Sequence, residues 1–553
     1  MKIKKLRYIL VGTLATTILT VAILGRVTLF SMLTHPETLG DQIEIYKKVI
    51  TVFDVLKEAQ NRILGQFYTP SGDLPVYRIE ISNKNYAKLT EDLPNSGRKY
   101  VNGTLTTPDG TEHDVELKFR GENYWHWDYP KKSWRVKFDD PDKNPDNSEL
   151  LNFINPRHKS QILYPLGYYL GEKAGLLTPK HEFIAVYVNG KYNGLYSKIE
   201  QIDQDFLENH DMPAGDIYYG EPEKRIKMDK EIGIFASTDL WELKPSPANQ
   251  NNNKDALQKL IETIQKDPPE FKKEIQNIVD VDKMLRYIAI QDIAESNHVD
   301  NFRNLKIYLN PKTGLFEPIV WDLFAWLQID SEFTFSYTNN LLFHKLQQIP
   351  EFNEIKNKYI WEFINSFASQ EKMEKLINEQ TTLIHHEIFF DPYKDYVDTM
   401  TLSPYIRRPL SNKGWKEEVE LTKTWYPFRH NYLLKKVNEI KVDIYHVSTE
   451  NDNILYVQIT GECPVVITSQ NKDFPITTLY PEIKIEKIPP EKTYKINKKA
   501  VTYTTTFQVT TNLETENIQF SNTITGKKIE PQIHQLKSIE DLQNIDTINF
   551  LKL

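Results

Sequence analysis

Alternating apolar and polar residues predict an antiparallel sheet in the first part of the chain. A period of two places successive side chains on opposite faces, so that one face of each strand is buried. The segments with this alternation are Tyr77–Ile81, Val115–Arg120 and Trp134–Phe138. Two more predicted strands, Phe183–Val188 and Gly194–Ile199, flank the dipeptide Asn189-Gly190, whose residues favour the tight turn of a hairpin.

Apolar residues at helical spacing dominate from about Asp203 to Lys441. The clearest helical segments are Asp255–Gln265, Val281–Glu295, Gln370–His386 and Glu417–Val437. A short predicted hairpin interrupts them, with strands Leu305–Leu309 and Phe316–Val320 on either side of the turn NPKTG. Beyond Val442, short β-rich segments separated by turn residues predict a β-sandwich-like module.

The N-terminus predicts a membrane anchor. The basic sequence MKIKKLR precedes the 18-residue uncharged run Tyr8–Gly25, and apolar residues resume over Val27–Leu33. This length suits a single membrane-spanning helix, and the preceding Lys/Arg cluster predicts a cytoplasmic N-terminus with the bulk of the chain extracytoplasmic. A cleaved signal peptide is the alternative, but its apolar core would usually be shorter, roughly 7–15 residues, and would end at a small-residue cleavage site.

Together the patterns predict an α+β protein with five regions. The regions are a basic tip and transmembrane anchor (1–33), a juxtamembrane helix and linker (34–74), a sheet-rich region (75–202), a helical region (203–441) and the β-rich C-terminal module (442–553). The juxtamembrane helix is predicted over Gln42–Leu64, and the polar turn Thr69–Pro75 marks the start of the globular part.

Composition narrows the function classes. A net charge of -8 over 553 residues carries no electrostatic footprint for nucleic acid, so no nucleic-acid partner is expected. Cys463 is the only cysteine, which excludes an intrachain disulfide, a thiolate zinc cluster and an iron–sulfur cluster. The acidic run 391–398 (DPYKDYVD) lacks the glycine and the terminal glutamate of a calcium loop.

An acid, an amide and a second acid form the main chemical candidate. Asp300, Asn304 and Asp322 lie around the predicted hairpin, in the stretch from Ser296 to Trp326. A magnesium-dependent phosphoryl transferase uses one carboxylate to engage the substrate hydroxyl, and an acid and an amide to hold the metal. Taken without the rest of the chain, Asp300 and Asn304 are more simply interpreted as turn and cap residues.

The sheet region adds basic candidates for a phosphate-binding role. Arg120-Gly121 ends one predicted strand, and Lys132 and Lys137 lie at and within the next, Pro130–Phe138. A lysine entering a strand beside a glycine-containing turn neutralises nucleotide phosphates as a point charge. For each lysine taken alone, a solvated position on the strand is the more common outcome.

Four motifs in order resemble the CotH family, the atypical kinases typified by spore coat protein H. The motifs are RGENYW…PKKSWRVKF (120–138), NGKYNGLYSKIEQID (189–203), SNHVDNFRN (296–304) and VWDLF (320–324). The family pattern reads, loosely, RGNSS…KKSYRIKF, NGxYxGLYxxxEQID, an Asp followed shortly by Asn, and WDxD. The resemblance covers roughly residues 75–440.

The resemblance implies a two-lobed, protein-kinase-like fold with an antiparallel-sheet N-lobe (75–202) and a helical C-lobe (203–441). It also implies ATP, Mg²⁺ or Mn²⁺, and transfer of phosphate to Ser or Thr of protein substrates. Matching the motifs by position gives these roles: Asp300 as the catalytic acid, Asp322 and Asn304 as metal ligands, Lys132 as the phosphate-contacting residue with Arg120 nearby, and Glu200 as either a lobe-hinge contact or a cleft acid.

Two departures from the family pattern leave a second hypothesis open. The spacing from Asp300 to Asn304 is one residue shorter than the family's usual spacing, and Phe324 replaces the second acid of WDxD. Asp292 and Glu295, on the preceding helix, are candidates to compensate. The alternative function is therefore a catalytically impaired CotH-like protein that acts in surface binding or structure.

Overall fold

A computed structural model describes most of the chain from residue 52 onward. The residues that it describes are 52–121, 124–139, 144, 146–220, 233–296, 298–323, 340–398, 406–448, 453–469, 477–480, 504–511, 515–538 and 541.

Strands and helices alternate irregularly along these residues. The strands are β1 (Val76–Glu80), β2 (Val101–Thr106), β3 (Glu112–Phe119), β4 (Trp134–Phe138), β5 (Leu150–Ile154), β6 (His181–Val188), β7 (Lys191–Glu200), β8 (Asp216–Gly220), β9 (Glu242–Lys244), β10 (Leu305–Asn310), β11 (Leu315–Ile319), β12 (Asp395–Asp398), β13 (Ile406–Pro409), β14 (Lys441–Ser448), β15 (Asn453–Thr460), β16 (Val465–Ser469), β17 (Thr477–Leu479), β18 (Thr504–Thr511), β19 (Ile518–Asn522), β20 (Lys528–Ile529) and β21 (Gln532–Leu536). The α-helices are α1 (Val52–Gly65), α2 (Asn83–Thr90), α3 (Leu163–Lys173), α4 (Gln204–Asn209), α5 (Asp255–Ile264), α6 (Pro268–Ile275), α7 (Val281–Ile293), α8 (Leu341–Gln347), α9 (Pro350–Ile364), α10 (Gln370–Phe390) and α11 (Asn412–Asn438).

The chain divides into two compact units that interleave along the sequence. The first unit comprises residues 1–165, 179–206 and 376–422, and the second comprises residues 166–178, 207–375 and 423–553. The domain boundaries proposed from the sequence stay predictions.

The sheet of the first unit is a closed barrel, which corrects the predicted kinase-like fold. Its strand order is β1-β2-β3-β4-β5-β7-β6, and β6 returns to β1 in a parallel pair that aligns Tyr77 with Val186. The prediction of a kinase-like N-lobe with an antiparallel sheet was wrong, because the sheet closes and one of its strand pairs is parallel. Alternation along a strand reports which face is buried, whereas closure depends on which distant strand supplies the last partner.

Alternate side chains fill the barrel, as the predicted strands require. Trp134, Val136 and Phe138 of β4 point into the same core as Phe153 of β5 and Tyr196 of β7, and each is at most 2% exposed. Large aromatic rings in this number make burial of apolar surface the main stabilisation of the unit.

The predicted hairpin at Asn189-Gly190 is confirmed. Val188 of β6 pairs directly with Lys191 of β7, which leaves the two central residues as the turn. Asn189 has a φ of 50° and Gly190 a φ of 72°. Both turn residues therefore adopt the left-handed conformation that a two-residue hairpin loop of this type needs, and Asn and Gly tolerate it best.

A buried ion pair joins the three chain segments of the first unit. Lys131 Nζ lies 2.6 Å from Asp391 Oδ2, and neither side chain has exposed surface. The same Asp391 oxygen accepts a hydrogen bond of 2.9 Å from the backbone N–H of Leu195. A Cβ on the neighbouring Gly194 would overlap the Asp391 carboxylate, so that only glycine allows this approach. The carboxylate thus connects β7 to the segments on either side of it in sequence.

The second unit contains a four-stranded sheet among its helices, in the order β11-β10-β8-β9. The predicted helical C-lobe contained only a hairpin. The structure instead has a four-stranded sheet in this region, because β8 and β9 extend the hairpin. The hairpin itself is confirmed: β10 and β11 pair in an antiparallel register, with Tyr308 opposite Glu317. Tyr218 of β8 lies opposite Ile307 on the other side of β10.

The C-terminal strands form two four-stranded sheets that share one core. Their orders are β18-β15-β14-β21 and β17-β16-β19-β20. Ile444 and Val457 from the first sheet pack with Val465, Ile467 and Phe520 from the second, and all are at most 1% exposed. The shared core is what two face-to-face sheets produce.

Within the described residues, no helix is both long enough and apolar enough to cross a membrane. The longest of them, α11, carries charged residues along its whole length. The membrane helix predicted within residues 1–33 lies outside the described residues. The finding does not support the predicted transmembrane anchor or the single-pass localisation, and neither prediction is carried further.

Replacing Lys131 by Met should destabilise the protein strongly, because it leaves the buried Asp391 carboxylate without its counter-charge. We expect a loss of about 3–5 kcal/mol in the free energy of unfolding, measured by urea denaturation. The double variant Lys131→Met/Asp391→Leu should recover part of this loss. Lys84→Met, at an exposed position of α2, is the control and should change stability by less than about 0.5 kcal/mol. Equal small effects of the two single Met substitutions would contradict the assignment.

Candidate functional site

The segment that follows α7 is a short loop stabilised by Asp300. Asp300 Oδ1 accepts hydrogen bonds from the backbone N–H groups of Phe302 (2.7 Å) and Arg303 (2.9 Å). The backbone N–H of Asp300 in turn donates to the Arg303 carbonyl at 3.2 Å. Asp300 therefore stabilises the turn, as considered from the sequence, and it uses one carboxylate oxygen to do so. The other oxygen, Oδ2, lies 3.6 Å from Arg303 Nε.

Contacts with α8 hold this loop in place. Asn340, the N-cap residue of α8, donates from Nδ2 to the Asp300 carbonyl at 3.3 Å. The backbone N–H of Leu341 donates to Asn301 Oδ1, and the Asn301 carbonyl accepts a 2.6 Å bond from Ile234 N–H. Asn301 and Asn340 are both buried, at 2% and 0% exposure. Hydrogen bonds to α8 and to Ile234 therefore fix the loop that carries Asp300.

Asn304 and Asp322, the two predicted metal ligands, both contact His298. His298 Nε2 lies 2.8 Å from Asp322 Oδ2, and the two side chains are only 12% and 15% exposed. The Asn304 amide donates from Nδ2 to the His298 carbonyl at 3.0 Å. One histidine therefore connects the loop before the hairpin to the residue after it, and Asn304 and Asp322 come together around it.

Asn304 and Asp322 share an uncommon backbone conformation. Their φ angles are 68° and 54°, in the left-handed region. Among residues with a Cβ, Asn and Asp tolerate this region best, since their short polar side chains bond locally. Strained conformations of this kind concentrate where a structure must aim a side chain, and here they occur at both predicted metal ligands.

These two side chains fit a magnesium or manganese ion. A hard cation takes carboxylate and amide oxygens and retains several waters, so two protein ligands suffice when nucleotide phosphates complete the shell. Because the Asn304 Nδ2 group is bonded to His298, the amide oxygen is the end that remains for a cation. Among the described residues no group of three or more His, Cys, Asp and Glu side chains is arranged to hold a metal alone. The arrangement suits a metal that is shared with its substrate.

Gly167 in α3 allows the backbone after Asp322 to approach the helix. A Cβ at this position would overlap the carbonyl oxygen of Leu323. One turn later, a Cβ at Gly171 would press on Val320, at the start of the same segment. The glycine spacing in α3 therefore sets the path of the chain on either side of Asp322.

The acids considered as substitutes for the missing second acid are engaged elsewhere. Asp292 lies 3.2 Å from the buried Lys356 Nζ, and its carbonyl accepts a 2.8 Å bond from Arg429 Nε. Glu295 Oε2 accepts a hydrogen bond from the Trp425 indole, and the residue is 5% exposed. Both acids hold α7 to surrounding side chains. Phe324 lies outside the described residues.

The predicted phosphate-binding residues belong to the first unit, whereas Asp300, Asn304 and Asp322 belong to the second. Arg120 follows β3, and its Nε donates to Asn152 Oδ1 at 2.9 Å. Lys132 is 8% exposed, with its ammonium 5.6 Å from the centre of the Phe119 ring. Glu200, the last residue of β7, accepts a 3.0 Å hydrogen bond at Oε2 from the backbone N–H of Lys180. This hydrogen bond is a structural contact.

Lys137 lies on the solvent side of β4 between two glutamates. Its Nζ is 3.4 Å from Glu149 and 3.6 Å from Glu116, and the side chain is 35% exposed. The hydrogen bond that Lys137 donates to Glu149 raises the pKa of Lys137 above its usual value. This is the solvated-strand position considered for the lysines at the outset. Lys132 differs because it is buried.

Sequence reasoning missed two side chains, one in contact with Asp322 and one beside the preceding Trp321. His298 was part of the SNHVDNFRN motif without a role, and only its contacts reveal one. Lys306 of β10 is 3% exposed, and its ammonium lies 3.9 Å from the Tyr219 ring centre and 4.9 Å from that of Trp321. A lysine inside the apolar strand LKIYLN was the available signal for Lys306.

The matched sequence family agrees with these motifs. The family described as CotH kinase protein matches residues 117–433, more than half of the chain. The chain belongs to the CotH family. Inner spore coat protein H of Bacillus subtilis (strain 168) is 27% identical to it over 340 residues, which cover 58% of this chain and 90% of that relative. The resemblance inferred from four motifs is therefore confirmed, and every candidate residue from Arg120 to Asp322 lies inside the matched region.

Substituting Asp322 by Asn should weaken binding of Mn²⁺ while preserving the fold. The amide loses the charge that attracts a divalent cation, but Asn still tolerates a left-handed φ. We expect at least a tenfold weaker Mn²⁺ affinity, measured by electron paramagnetic resonance in the presence of ATP. Asp282→Asn is the matched control, because Asp282 is a half-exposed acid paired with Arg286 in the same unit. Unchanged Mn²⁺ binding by the Asp322 variant would refute the ligand role.

Gly167→Ala should weaken the same Mn²⁺ binding without touching a ligand, since the added methyl group displaces the Leu323 carbonyl next to Asp322. The expected loss is several-fold in affinity, read by the same resonance titration. Gly414→Ala serves as the control, because a Cβ there meets no backbone atom, only the side chains of Ser411 at 3.2 Å and Leu410 at 3.6 Å. Wild-type binding by both variants would show that Leu323 does not position Asp322.

Proposed function

We propose that this CotH-family protein is a metal-dependent protein kinase that transfers the γ-phosphate of ATP to Ser or Thr of protein substrates. The observation that carries the proposal is the joint contact of Asn304 and Asp322 with His298, one loop away from Asp300. It supplies the acid, amide and acid that phosphoryl transfer requires, in one unit of the protein.

We assign to Asp300 the role of binding and deprotonating the substrate hydroxyl. Its Oδ1 is committed to the loop amides of Phe302 and Arg303, which fixes the orientation of the carboxylate. Oδ2 then accepts the hydrogen bond of the incoming Ser or Thr hydroxyl and takes its proton as the new P–O bond forms, while the bond from the γ-phosphorus to the bridging oxygen breaks and ADP leaves. Positioned acid–base groups of this kind contribute roughly 10²–10⁴ in rate.

We assign to Asn304 and Asp322 the role of metal ligands. Mg²⁺ or Mn²⁺, when bound, neutralises charge on the transferring phosphate. The contribution of the chain is to hold the Asn304 amide and the Asp322 carboxylate in place. His298 does so from both its ring and its carbonyl.

We assign to basic residues of the first unit the role of binding the phosphates of ATP. Arg120 and Lys132 are the preferred pair among the sequence-predicted residues, because both are shielded from solvent to some degree and a shielded cation attracts phosphate more strongly. Lys137 is a weaker candidate, since two glutamates already neutralise it. Glu200 keeps the alternative roles of hinge contact and cleft acid.

The relative's printed name, inner spore coat protein H, describes a component of a spore coat. For this chain we propose that the substrate is a structural protein with accessible Ser or Thr residues. The identity of that substrate is open to phosphoproteomic comparison of cells with and without the protein.

Binding without turnover is a second candidate function. It is favoured by Phe324, which stands where the family pattern has the second acid of WDxD, and by the engagement of Asp292 and Glu295 elsewhere. A protein of this kind would bind nucleotide or metal through Asp322 and act as a scaffold.

Asp300→Asn should separate the two functions. The amide keeps an oxygen for the Phe302 and Arg303 N–H groups but does not accept a proton, so that stability changes by less than about 0.5 kcal/mol while phosphate transfer falls by at least about 100-fold. The assay measures transfer of labelled γ-phosphate to a mixed protein acceptor, in Mg²⁺ and in Mn²⁺, with Asp282→Asn as control. Absence of transfer by the wild-type protein, together with stabilisation by ATP, would favour the scaffold.

A further inference from the structure

A primary amine and a carboxyl group meet inside the first unit, where neither has solvent contact. Lys131 Nζ lies 2.6 Å from Asp391 Oδ2, and both side chains are 0% exposed. The carbonyl carbon of Asp391, Cγ, is one covalent bond beyond that oxygen. The two groups are therefore the reactants of an amide bond, and the fold keeps them at hydrogen-bonding distance.

Burial distinguishes this pair from other lysine–carboxylate pairs at the same distance. Lys272 Nζ also lies 2.6 Å from Glu351, but those side chains are 40% and 42% exposed. Lys283 lies 2.6 Å from Glu317, and the lysine side chain is 32% exposed. Solvent water stabilises an ammonium and a carboxylate at such positions and opposes their condensation. Burial instead penalises both charges and excludes the water that would hydrolyse the product.

Backbone amides orient the Asp391 carboxyl group. Its Oδ2 accepts a 2.9 Å hydrogen bond from the N–H of Leu195, and its Oδ1 accepts a 2.8 Å bond from the N–H of Tyr393. A Cβ at Gly194 would overlap the carboxylate, so glycine leaves room for this orientation. A donor aimed at Oδ1 stabilises the negative charge that develops on this oxygen when a nucleophile attacks Cγ.

Other buried contacts hold the Lys131 amine in place. Asn155 donates from Nδ2 to the Lys131 carbonyl at 3.2 Å, and Tyr196 donates from its hydroxyl to the next carbonyl, that of Lys132, at 2.8 Å. The centre of the Tyr196 ring lies 4.9 Å from Lys131 Nζ. Asn155 and Tyr196 are 1% and 0% exposed. Fixing the amine against the carboxyl group makes their condensation intramolecular, which removes most of its entropic cost.

The surrounding charges are balanced without the pair. Asp395 is paired with the buried Arg407. Lys394 donates from Nζ to the Asp391 backbone carbonyl at 3.2 Å, and burial is the main cause that lowers its pKa to about 8. The positive charge of Lys131 also lowers the pKa of Lys394, whereas the Asp391 carboxylate raises it. An amide between Lys131 and Asp391 removes both of these charges together, so that it leaves no buried charge unpaired.

We propose that Lys131 and Asp391 condense to an intramolecular isopeptide bond in the folded protein. One proton passes from Nζ to Oδ2, the neutral amine attacks Cγ, and the carbonyl electron pair moves onto Oδ1 as the N–Cγ bond forms. A second proton then passes from the nitrogen to Oδ2, the carbonyl re-forms, and the Cγ–Oδ2 bond breaks to release water. An ammonium and a carboxylate thus give one amide and one water, and no oxidant, reductant or co-reactant is consumed. The cross-link is independent of the proposed kinase activity.

The test is mass spectrometry of the full chain, folded, purified and then denatured. The wild-type protein should weigh one water molecule less than its sequence, and a tryptic digest should contain a linked peptide that carries both Lys131 and Asp391. No disulfide can join these fragments, because Cys463 is the only cysteine. Lys131→Arg keeps the positive charge, but its guanidinium stays protonated and is not a nucleophile, so this variant should keep the full mass of its sequence.

The remaining outcomes overturn the proposal. A wild-type chain at its full sequence mass would show that the pair stays ionic. Water lost within a single unlinked peptide, as from a succinimide at Asp109-Gly110, would place the reaction elsewhere. The exposed pair Lys272–Glu351 is the internal control, and a linked peptide from it in equal yield would refute the role of burial. Should Lys131→Arg not fold, the position of the link in the wild-type digest decides.

Discussion

The buried pair of Lys131 and Asp391 is the constraint on which the first unit depends. Two charges without solvent contact are tolerated only when each satisfies the other, and the Asp391 carboxylate also takes the N–H of Leu195. Because these residues come from three separate stretches of chain, one carboxylate holds the turn before β4 and the β7 strand to the segment after α10. The glycine at 194 is needed for the same reason, since any side chain there would displace the carboxylate.

His298 has the corresponding role in the second unit, on a smaller scale. Its ring contacts Asp322 and its carbonyl contacts Asn304, so that residues on both sides of the β10–β11 hairpin converge on one side chain. Both partners have left-handed backbones. The residue after Asp322, Leu323, passes so close to Gly167 that only a glycine fits there. Chemistry that needs an acid and an amide near each other therefore depends on a residue that carries out neither role.

Local patterns predicted local structure well. The alternation of Trp134, Val136 and Phe138 correctly assigned the inner face of β4, and Asn189-Gly190 correctly located a hairpin. Barrel closure was not predicted, because the parallel pairing of β1 with β6 joins segments about a hundred residues apart and leaves no periodic trace. Of the adjacent lysines 131 and 132, the sequence favoured the second as functional. Lys131 pairs with the buried Asp391, a residue that the sequence analysis considered only as part of a run that lacks the features of a calcium loop.

The sequence by itself determined the family, the motif order and the residue types available for phosphoryl transfer, because these are properties of side chains and their spacing. It also determined which residues of each strand face a core, since alternation is a local steric consequence of the extended chain. Only the tertiary structure decided that Asn304 and Asp322 meet at His298, that Lys137 is neutralised by glutamates, and that Lys131 meets Asp391. Each of these facts is a contact between segments far apart in the chain, and such contacts are set by packing and charge pairing in three dimensions.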